Sequence, residues 1–165
     1  MALTDDDSAV DSLPVALAGT VILLAVIVAL TASGIKEATP SLAMSSVDRQ
    51  ASDVANECRF LLSLAPRLLD DPGSPPGAMR DVELDLPEGT GYLSFGYDPD
   101  SDGGHGGTIY YKVGGSKKAI VVDGEATFHS EEGDHVILGP GRYHLRIEYA
   151  RDQLGRRRLY ISSAG

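Results

Sequence analysis

The stretch VALAGTVILLAVIVALTA, residues Val15–Ala32, decides how the rest of the chain is interpreted. None of its eighteen residues is charged, and its polar side chains are those of Thr20 and Thr31. A helix on the surface of a soluble protein carries one apolar stripe, whereas this stretch is apolar on every side. As a helix it would extend about 27 Å, close to the roughly 30 Å hydrocarbon core of a bilayer. The pattern therefore predicts a transmembrane helix over residues 13–33, with the lipid bilayer as its partner.

The residues on either side of this stretch bear on processing and orientation. The N-terminal tail 1–12 carries four aspartates and no basic residue, whereas a secretory signal normally begins with positive charge. A retained anchor is therefore favoured over a cleaved signal. The first basic residues, Lys36 and Arg49, follow the apolar stretch, so a count of positive charges alone favours a cytoplasmic C-terminal part.

A second helical pattern follows the apolar stretch. Apolar residues recur at three- and four-residue steps over Val47–Leu69, which predicts an amphipathic stalk helix over residues 34–70. The first half of this helix is rich in small residues, which leave room for a second helix to approach closely. We therefore expect Ala51 and Ala55 to contact a neighbouring subunit. The prolines and glycines of residues 71–78 predict a linker.

The hydrophobic pattern changes after the linker from a helical period to an alternating one. Short alternating segments, separated by glycine turns, continue to the C-terminus, and seven or eight of them predict an antiparallel sandwich or open barrel over residues 79–165. The expected fold class is therefore α+β, with an N-terminal transmembrane helix, an amphipathic stalk helix and an all-β antiparallel domain. The predicted strands lie near residues 82–86, 92–97, 108–113, 119–122, 126–129, 135–138, 142–150 and 158–162.

The charge balance excludes some partners and suggests an environment. The chain has 24 acidic and 14 basic residues, of which only four are lysine, and its net charge is −10. Such a chain repels the phosphates of nucleic acid, so no nucleic-acid partner is expected. An acidic surface poor in lysine suggests a salt-loving cell. The single cysteine, Cys58, rules out an intrachain disulfide.

The order of the segments resembles that of archaeal type IV pilin-like proteins and of the membrane-anchored accessory β-sandwich proteins of the archaellum. The resemblance covers the whole chain and rests on the segment Asp11–Ala32, the stalk to Leu69 and strands such as Gly141–Tyr149. Aspartates Asp5–Asp7 stand where pilin precursors usually carry a basic residue, and the apolar stretch has no glutamate. These departures favour a minor or accessory subunit. The resemblance implies an extracytoplasmic β-domain, and filament subunits or a homo-oligomer as partners.

One acidic turn is a candidate metal site. Asp98, Asp100 and Asp102, followed by Gly103, match the start of a calcium-binding loop, in which alternate carboxylates converge on the cation. The twelfth position of such a loop is normally a bidentate glutamate, but here it is Ile109. The alternative is an acidic, glycine-rich hairpin tip. A weak, structural calcium site is thus the only cofactor that the sequence suggests.

Other functional motifs are missing from the sequence. There is no G-x-S-x-G elbow, no phosphate-binding loop, and no Cys or His pair with zinc spacing. Cys58 falls on the apolar side of the stalk, where a thiol is usually buried and inert. The four histidines fit solvent-facing strand positions. The chain is therefore not expected to be an enzyme.

Basic residues concentrate in the last hairpin. Six arginines and two acidic residues lie between Arg142 and Tyr160, so this segment is positive in an otherwise acidic chain. Arg142, Arg146 and Arg158 are predicted to share one face and to repel one another. One interpretation is a docking face for an acidic partner, such as a neighbouring subunit or a surface-layer protein, because arginine binds carboxylates through two parallel bonds. The other is a charged edge that prevents aggregation.

Two functions from different classes are consistent with these features. The first is a structural or interaction protein of the archaeal cell surface, a minor or accessory pilin-like subunit anchored by its N-terminal helix. The alternative is a membrane-tethered extracytoplasmic binding or sensor module, outside any filament, whose ligand is calcium, a glycan or another part of the cell envelope.

Overall fold

The computed structural model describes the backbone of residues 8–101, 103–104, 106–130 and 135–164, and the side chains of the same residues except 8–16 and 29–40. The chain forms two compact units, Met1–Thr39 and Pro40–Gly165. The described elements are α1 (Ser8–Leu62), β1 (Arg67–Leu68), β2 (Met79–Leu86), β3 (Thr90–Phe95), β4 (Thr108–Val113), β5 (Ser116–Val121), β6 (Thr127–Ser130), β7 (Ile137–Leu138), β8 (Gly141–Arg151) and β9 (Arg157–Ser163).

The N-terminal apolar stretch lies in α1, which begins at Ser8 and continues to Leu62. The side chains described in this part are those of residues 17–28, and all of them are exposed. Among the residues that the structure describes, no helix is long and apolar enough to cross a membrane. This finding corrects the predicted transmembrane helix over residues 13–33 and the single-pass membrane localisation derived from it.

The residues assigned to the two predicted helices lie in one helix. Helix α1 continues through residues 33 and 34, where the transmembrane and stalk helices were expected to meet, and ends before residue 70. At its end the N–H groups of Ser63 and Leu64 donate to carbonyls three residues earlier, at 3.0 and 2.9 Å. Pro66 has no N–H and disfavours a helical conformation at the preceding residue. The chain therefore leaves the helix, and Arg67–Leu68 form the short strand β1.

The strands form two sheets of different topology. In the first sheet, β8 pairs with β2 and β9 in antiparallel fashion and with β1 in parallel, and β6 pairs with β9 in parallel. The second sheet has the order β5-β4-β3-β7 and is antiparallel throughout. The strand positions agree with the prediction to within a few residues, but the all-antiparallel prediction is wrong. Alternation along a sequence indicates which side chains share a face, and it does not specify the direction of the partner strand.

The connection between β4 and β5 shows how local sequence determines one of these pairings. Val113 pairs with Ser116, so the loop has two residues, Gly114 and Gly115. Both have positive φ, 54° and 89°, as a type I′ turn requires. Glycine reaches this conformation without the steric cost that a side chain would add.

A single core lies between α1 and the two sheets. The stalk pattern is buried as far as Leu61 but not beyond it, since Leu68 is 49 % exposed, and the inward face of β8 is confirmed because Leu145, Ile147 and Tyr149 are buried. Burial raises the pKa of the Cys58 thiol to about 12, so this thiol stays protonated. The residues of the core that are less than 4 % exposed include Val47, Ala51, Val54, Ala55, Cys58 and Leu61 of α1, Leu84, Ile147 and Tyr149 of the first sheet, and Leu93, Phe95, Ile109 and Tyr111 of the second.

Candidate interaction surfaces

The described part of the apolar stretch, residues 17–28, forms a segment that we call the helical arm. Four consecutive residues, Val21–Leu24, are 59–65 % exposed. Successive helical residues point about 100° apart, so these four side chains cover every side of the helix. The arm therefore presents apolar surface all round rather than one stripe. Its exposed large apolar residues are Leu17, Val21, Ile22, Leu23, Leu24, Val26, Ile27 and Val28.

The predicted arginine face lies on a ladder of cross-strand pairs between β2 and β8. Asp81 lies opposite Arg146, Glu83 opposite His144 and Asp85 opposite Arg142. Arg146 donates to both carboxylate oxygens of Asp81, at 2.8 and 3.0 Å, and lowers the pKa of that carboxyl. The Arg142 Nε is 3.3 Å from Asp85 and the His144 Nδ1 is 3.5 Å from Glu83. We call these three pairs the charge ladder.

The ladder changes the interpretation of the arginines. Arg142 and Arg146 do share a face, as the alternation predicts, but each lies opposite an acid rather than opposite another arginine. Arg158 pairs in register with Ala150, four residues along β8 from Arg146, or roughly 13 Å. Its guanidinium donates to Asp152 at 3.1 Å. The structure therefore does not bring the three arginines together into one docking site.

The small residues Ala51 and Ala55, expected to contact another subunit, face the domain's own core. Both are fully buried. Small side chains at these positions allow α1 to approach the sheets of its own domain. A neighbouring helix has no access to either residue in the folded domain.

The acidic turn after β3 is occupied by lysines from the neighbouring strands. Asp98 is only 5 % exposed and accepts hydrogen bonds from Lys117 Nζ and Ser101 Oγ, which lower its pKa to about 2. Lys112 Nζ lies 3.1 Å from Asp100. The Tyr92 hydroxyl lies 3.3 Å from Asp98 and 3.2 Å from Asp100, and its pKa is raised by burial and by these carboxylates.

These contacts bear on the calcium prediction. Within the described part of the chain, no group of acidic, histidine or cysteine side chains is arranged to hold a metal ion. Asp102, the third proposed ligand, lies outside the described residues. For Asp98 and Asp100, the lysine ammonium groups already supply the positive charge that a cation would bring. Tyr92, Lys112 and Lys117 occupy paired positions on adjacent strands, so they share one face of the sheet.

A groove runs along β2 beside the helix. It has a volume of about 560 Å³ and is lined by Ser46 and Arg49 of α1, Glu83 and Asp85 of β2, and Arg142 and His144 of β8, among others. At its end Gln50 makes two hydrogen bonds with the backbone of Asp85: its Nε2 donates to the carbonyl at 2.8 Å, and its Oε1 accepts from the N–H at 2.7 Å. The side-chain amide thus acts as one residue of a neighbouring strand would.

Sequence reasoning missed Gln50 and two further helix contacts. Tyr111 donates a hydrogen bond to Asp48, and Arg59 donates to the carbonyl of Val121 at 2.6 Å. Each contact joins α1 to a strand at least 35 residues away. Local periodicity carries no information about such pairs, so the sequence held no signal for them.

Comparison with known families gives one match, which spans both the arm and the β-domain. The domain of unknown function DUF7311 matches residues 16–164. The chain belongs to the DUF7311 family. The DUF7311 match includes the helical arm together with all nine described strands, so the arm is part of the domain that defines the family. No curated protein and no solved structure matches the chain.

Proposed function

We propose that this chain is a structural subunit that assembles through its helical arm, as an accessory or minor pilin-like subunit of the archaeal cell surface. The observation that carries the proposal is the exposure of the arm on every side. Moving a Val, Leu or Ile side chain out of water is worth about 1.5–3 kcal/mol. Eight such side chains make an uncovered arm costly, and packing against the arms of neighbouring copies removes apolar surface from water.

The order of the segments supports the pilin-like form of this proposal. An apolar helix leading into an amphipathic helix that packs on a β-domain is the layout of archaeal pilin-like proteins. The alternative, a membrane-tethered binding module, has less support in its calcium-binding form, because the carboxylates that would bind calcium at the acidic turn are paired with lysines. Asp98 and Asp100 are paired with Lys117 and Lys112.

The test is a pair of apolar-to-acidic substitutions in the arm of the full chain, Leu23→Asp with Val26→Asp, expressed in an archaeal host. The matched control is Leu154→Asp, which places the same charge at a 76 % exposed leucine in the β8–β9 turn. We expect the wild-type chain and the control to occur in high-mass material sheared from cells. The arm variant should be absent from that material and should retain the thermal transition of the β-domain.

Two outcomes would overturn the proposal. The first is an arm variant that assembles as the wild type does. The second is a wild-type chain that remains monomeric on the cell and after mild extraction, with detergent or lipid rather than other copies covering its arm. Cross-linking on intact cells, followed by mass determination, distinguishes a monomer from an assembly.

A further inference from the structure

We propose that two copies of this chain also pair through their sheet edges, β5 of one copy lying antiparallel to β2 of the next. The inference rests on the proposed function, since it assigns a second contact surface to the same assembly. It is carried by the direction of the backbone hydrogen-bonding groups on these two strands, by their charge and by their exposed side chains.

The backbone groups of alternate β2 residues point away from β8. In an antiparallel pair, residues alternate between positions bonded to the partner strand and positions directed away from it. Tyr149 N–H donates to Ala78 O at 2.9 Å. Arg80, Val82 and Leu84 follow Ala78 at two-residue steps, so their backbone groups also face β8. The N–H and C=O groups of Asp81, Glu83 and Asp85 therefore face the open edge. Gln50 gives independent support for this direction, because its side chain bonds both the N–H and the C=O of Asp85.

Strand β5 also has an open edge, because it pairs on one side only, with β4. Val122 N–H donates to Gly107 O at 2.9 Å. Ile120 and Lys118 precede Val122 at two-residue steps, so their backbone groups also face β4. Lys117, Ala119 and Val121 therefore direct their backbone groups outward. Arg59 gives independent support for this direction, because it donates to the carbonyl of Val121 at 2.6 Å.

The helix caps one end of each edge and leaves the rest uncapped. Gln50 satisfies Asp85 on β2, and Arg59 satisfies the carbonyl of Val121 on β5. In the described part of the chain, no side chain bonds the outward backbone groups of Asp81, Glu83, Lys117 or Ala119. A row of unpaired N–H and C=O groups is a template for another strand.

Charge determines which edges can pair. β5 carries Lys117 and Lys118 and no acid, a charge of +2 within the strand, and these lysines pair with Asp98 and Asp48 of the same domain. β2 carries three acids and one arginine, a charge of −2. Two β5 edges or two β2 edges would place like charges together, which destabilises a sheet. The complementary pair is β5 with β2, and each copy has one of each.

The exposed apolar side chains select a register. With Lys117 opposite Glu83, an antiparallel arrangement places Ala119 opposite Asp81 and Val121 opposite Met79. Val121 is 60 % exposed and Met79 is 46 % exposed. The backbone N–H and C=O groups of both residues face the open edges of their strands. This register therefore buries two exposed apolar side chains and places Lys117, which bonds Asp98 of its own copy, beside Glu83. Because the two surfaces differ, the contact is head-to-tail and can repeat along an open chain of copies.

The experiment is disulfide cross-linking between full-length chains. One population carries Val121→Cys and the other Met79→Cys, and the native Cys58 is fully buried. The control mixture combines Val121→Cys with Leu154→Cys, which is exposed and lies on neither edge. We expect the first mixture to give mixed dimers in a yield on the order of tenfold above the control, because the paired edges hold the two thiols together.

A backbone substitution tests whether strand pairing holds the thiols together. Ala119→Pro removes an outward N–H that β4 does not use, and an edge strand tolerates proline at such a position. Ala119→Thr keeps the N–H and favours the strand. In the Val121→Cys chain, Ala119→Pro should reduce the yield of mixed dimers to the control level, and Ala119→Thr should leave it unchanged.

Repeating the mixture with the arm substitutions Leu23→Asp and Val26→Asp separates this inference from the proposed function. Cross-linking that persists in arm-disabled chains supports the edge contact by itself. If the wild-type chain assembles through its arm but the Val121–Met79 yield equals the control, the edge contact is overturned and the proposed function stands. If neither assembly nor cross-linking occurs, both are overturned. A yield that Ala119→Pro does not change also overturns strand pairing.

Discussion

Asp98 holds the turn after β3 through a nearly buried carboxylate. Its pKa is about 2, lowered from 3.8 by hydrogen bonds from Lys117 and Ser101. Because the folded-state pKa is below the unfolded value, the charged carboxylate stabilises the fold above about pH 4, and this contribution is lost as the pH falls toward 2. We expect Asp98→Asn to lower stability at pH 7 and to flatten the loss of stability between pH 4 and 2.

Denaturant unfolding at a series of pH values measures this effect. The control is Asp53→Asn, an exposed acid on α1, whose profile should follow that of the wild type. A parallel downward shift of the Asp98→Asn curve at every pH, including pH 2, would mean that its carboxylate charge contributes nothing. The substitution would then act only through altered packing of the turn.

The β2–β8 pair is stabilised on its solvent face by opposite charges arranged along the strands. If Arg142 and Arg146 only repelled each other, replacing both with glutamate would leave stability unchanged or raise it. The charge ladder reverses that expectation, because the new glutamates would lie opposite Asp85 and Asp81. We expect Arg142→Glu with Arg146→Glu to lower Tm by about 2–5 °C, since like charges directly opposite destabilise a sheet.

A charge swap provides the matched control for the ladder. Adding Asp81→Arg and Asp85→Arg to the two glutamate substitutions restores opposite charges at both pairs, so Tm should return close to the wild-type value. The pairs are exposed, so the loss in the first variant should shrink as salt is added. A swapped variant no more stable than the glutamate variant would show that the strands do not pair in this register in solution.

The unit Pro40–Gly165 depends on one core shared by the helix and both sheets. Ala55 is fully buried in this core, so a larger side chain would have to displace its neighbours. We expect Ala55→Leu to destabilise the fold by about 1–3 kcal/mol through overpacking. Asp53→Leu, an equally large residue at an exposed position of the same helix, should change stability much less. Denaturant unfolding of both variants measures the difference.

The contrary result is informative for Ala55. If Ala55→Leu kept full stability but lost assembly, the residue would face a neighbouring subunit, as its small size suggested, and not the domain's own core. Loss of assembly in proportion to loss of folding would agree with the buried position that the structure gives it.

The sequence by itself determined the local features of this protein. Alternation located the strands and the inward face of β8, the three- and four-residue steps located the buried face of the stalk, and Gly114-Gly115 specified the β4–β5 turn. These features depend on residues close together in the chain, so periodicity and backbone preference are sufficient to recognise them. The continuous apolar stretch was equally visible, but its interpretation as a membrane span was not supported by the described helix.

Only the tertiary structure decided which distant groups meet. Asp81 and Arg146 are 65 residues apart, and Asp98 and Lys117 are 19 apart, so their pairing follows from strand order and register rather than from local pattern. The parallel pairs β1–β8 and β6–β9 likewise depend on the direction in which the chain returns. The Arg59 and Gln50 bonds to strand edges arise because a helix packs beside both strands. Periodicity has no access to these contacts, since the groups that form them are brought together only by the packing of the whole core.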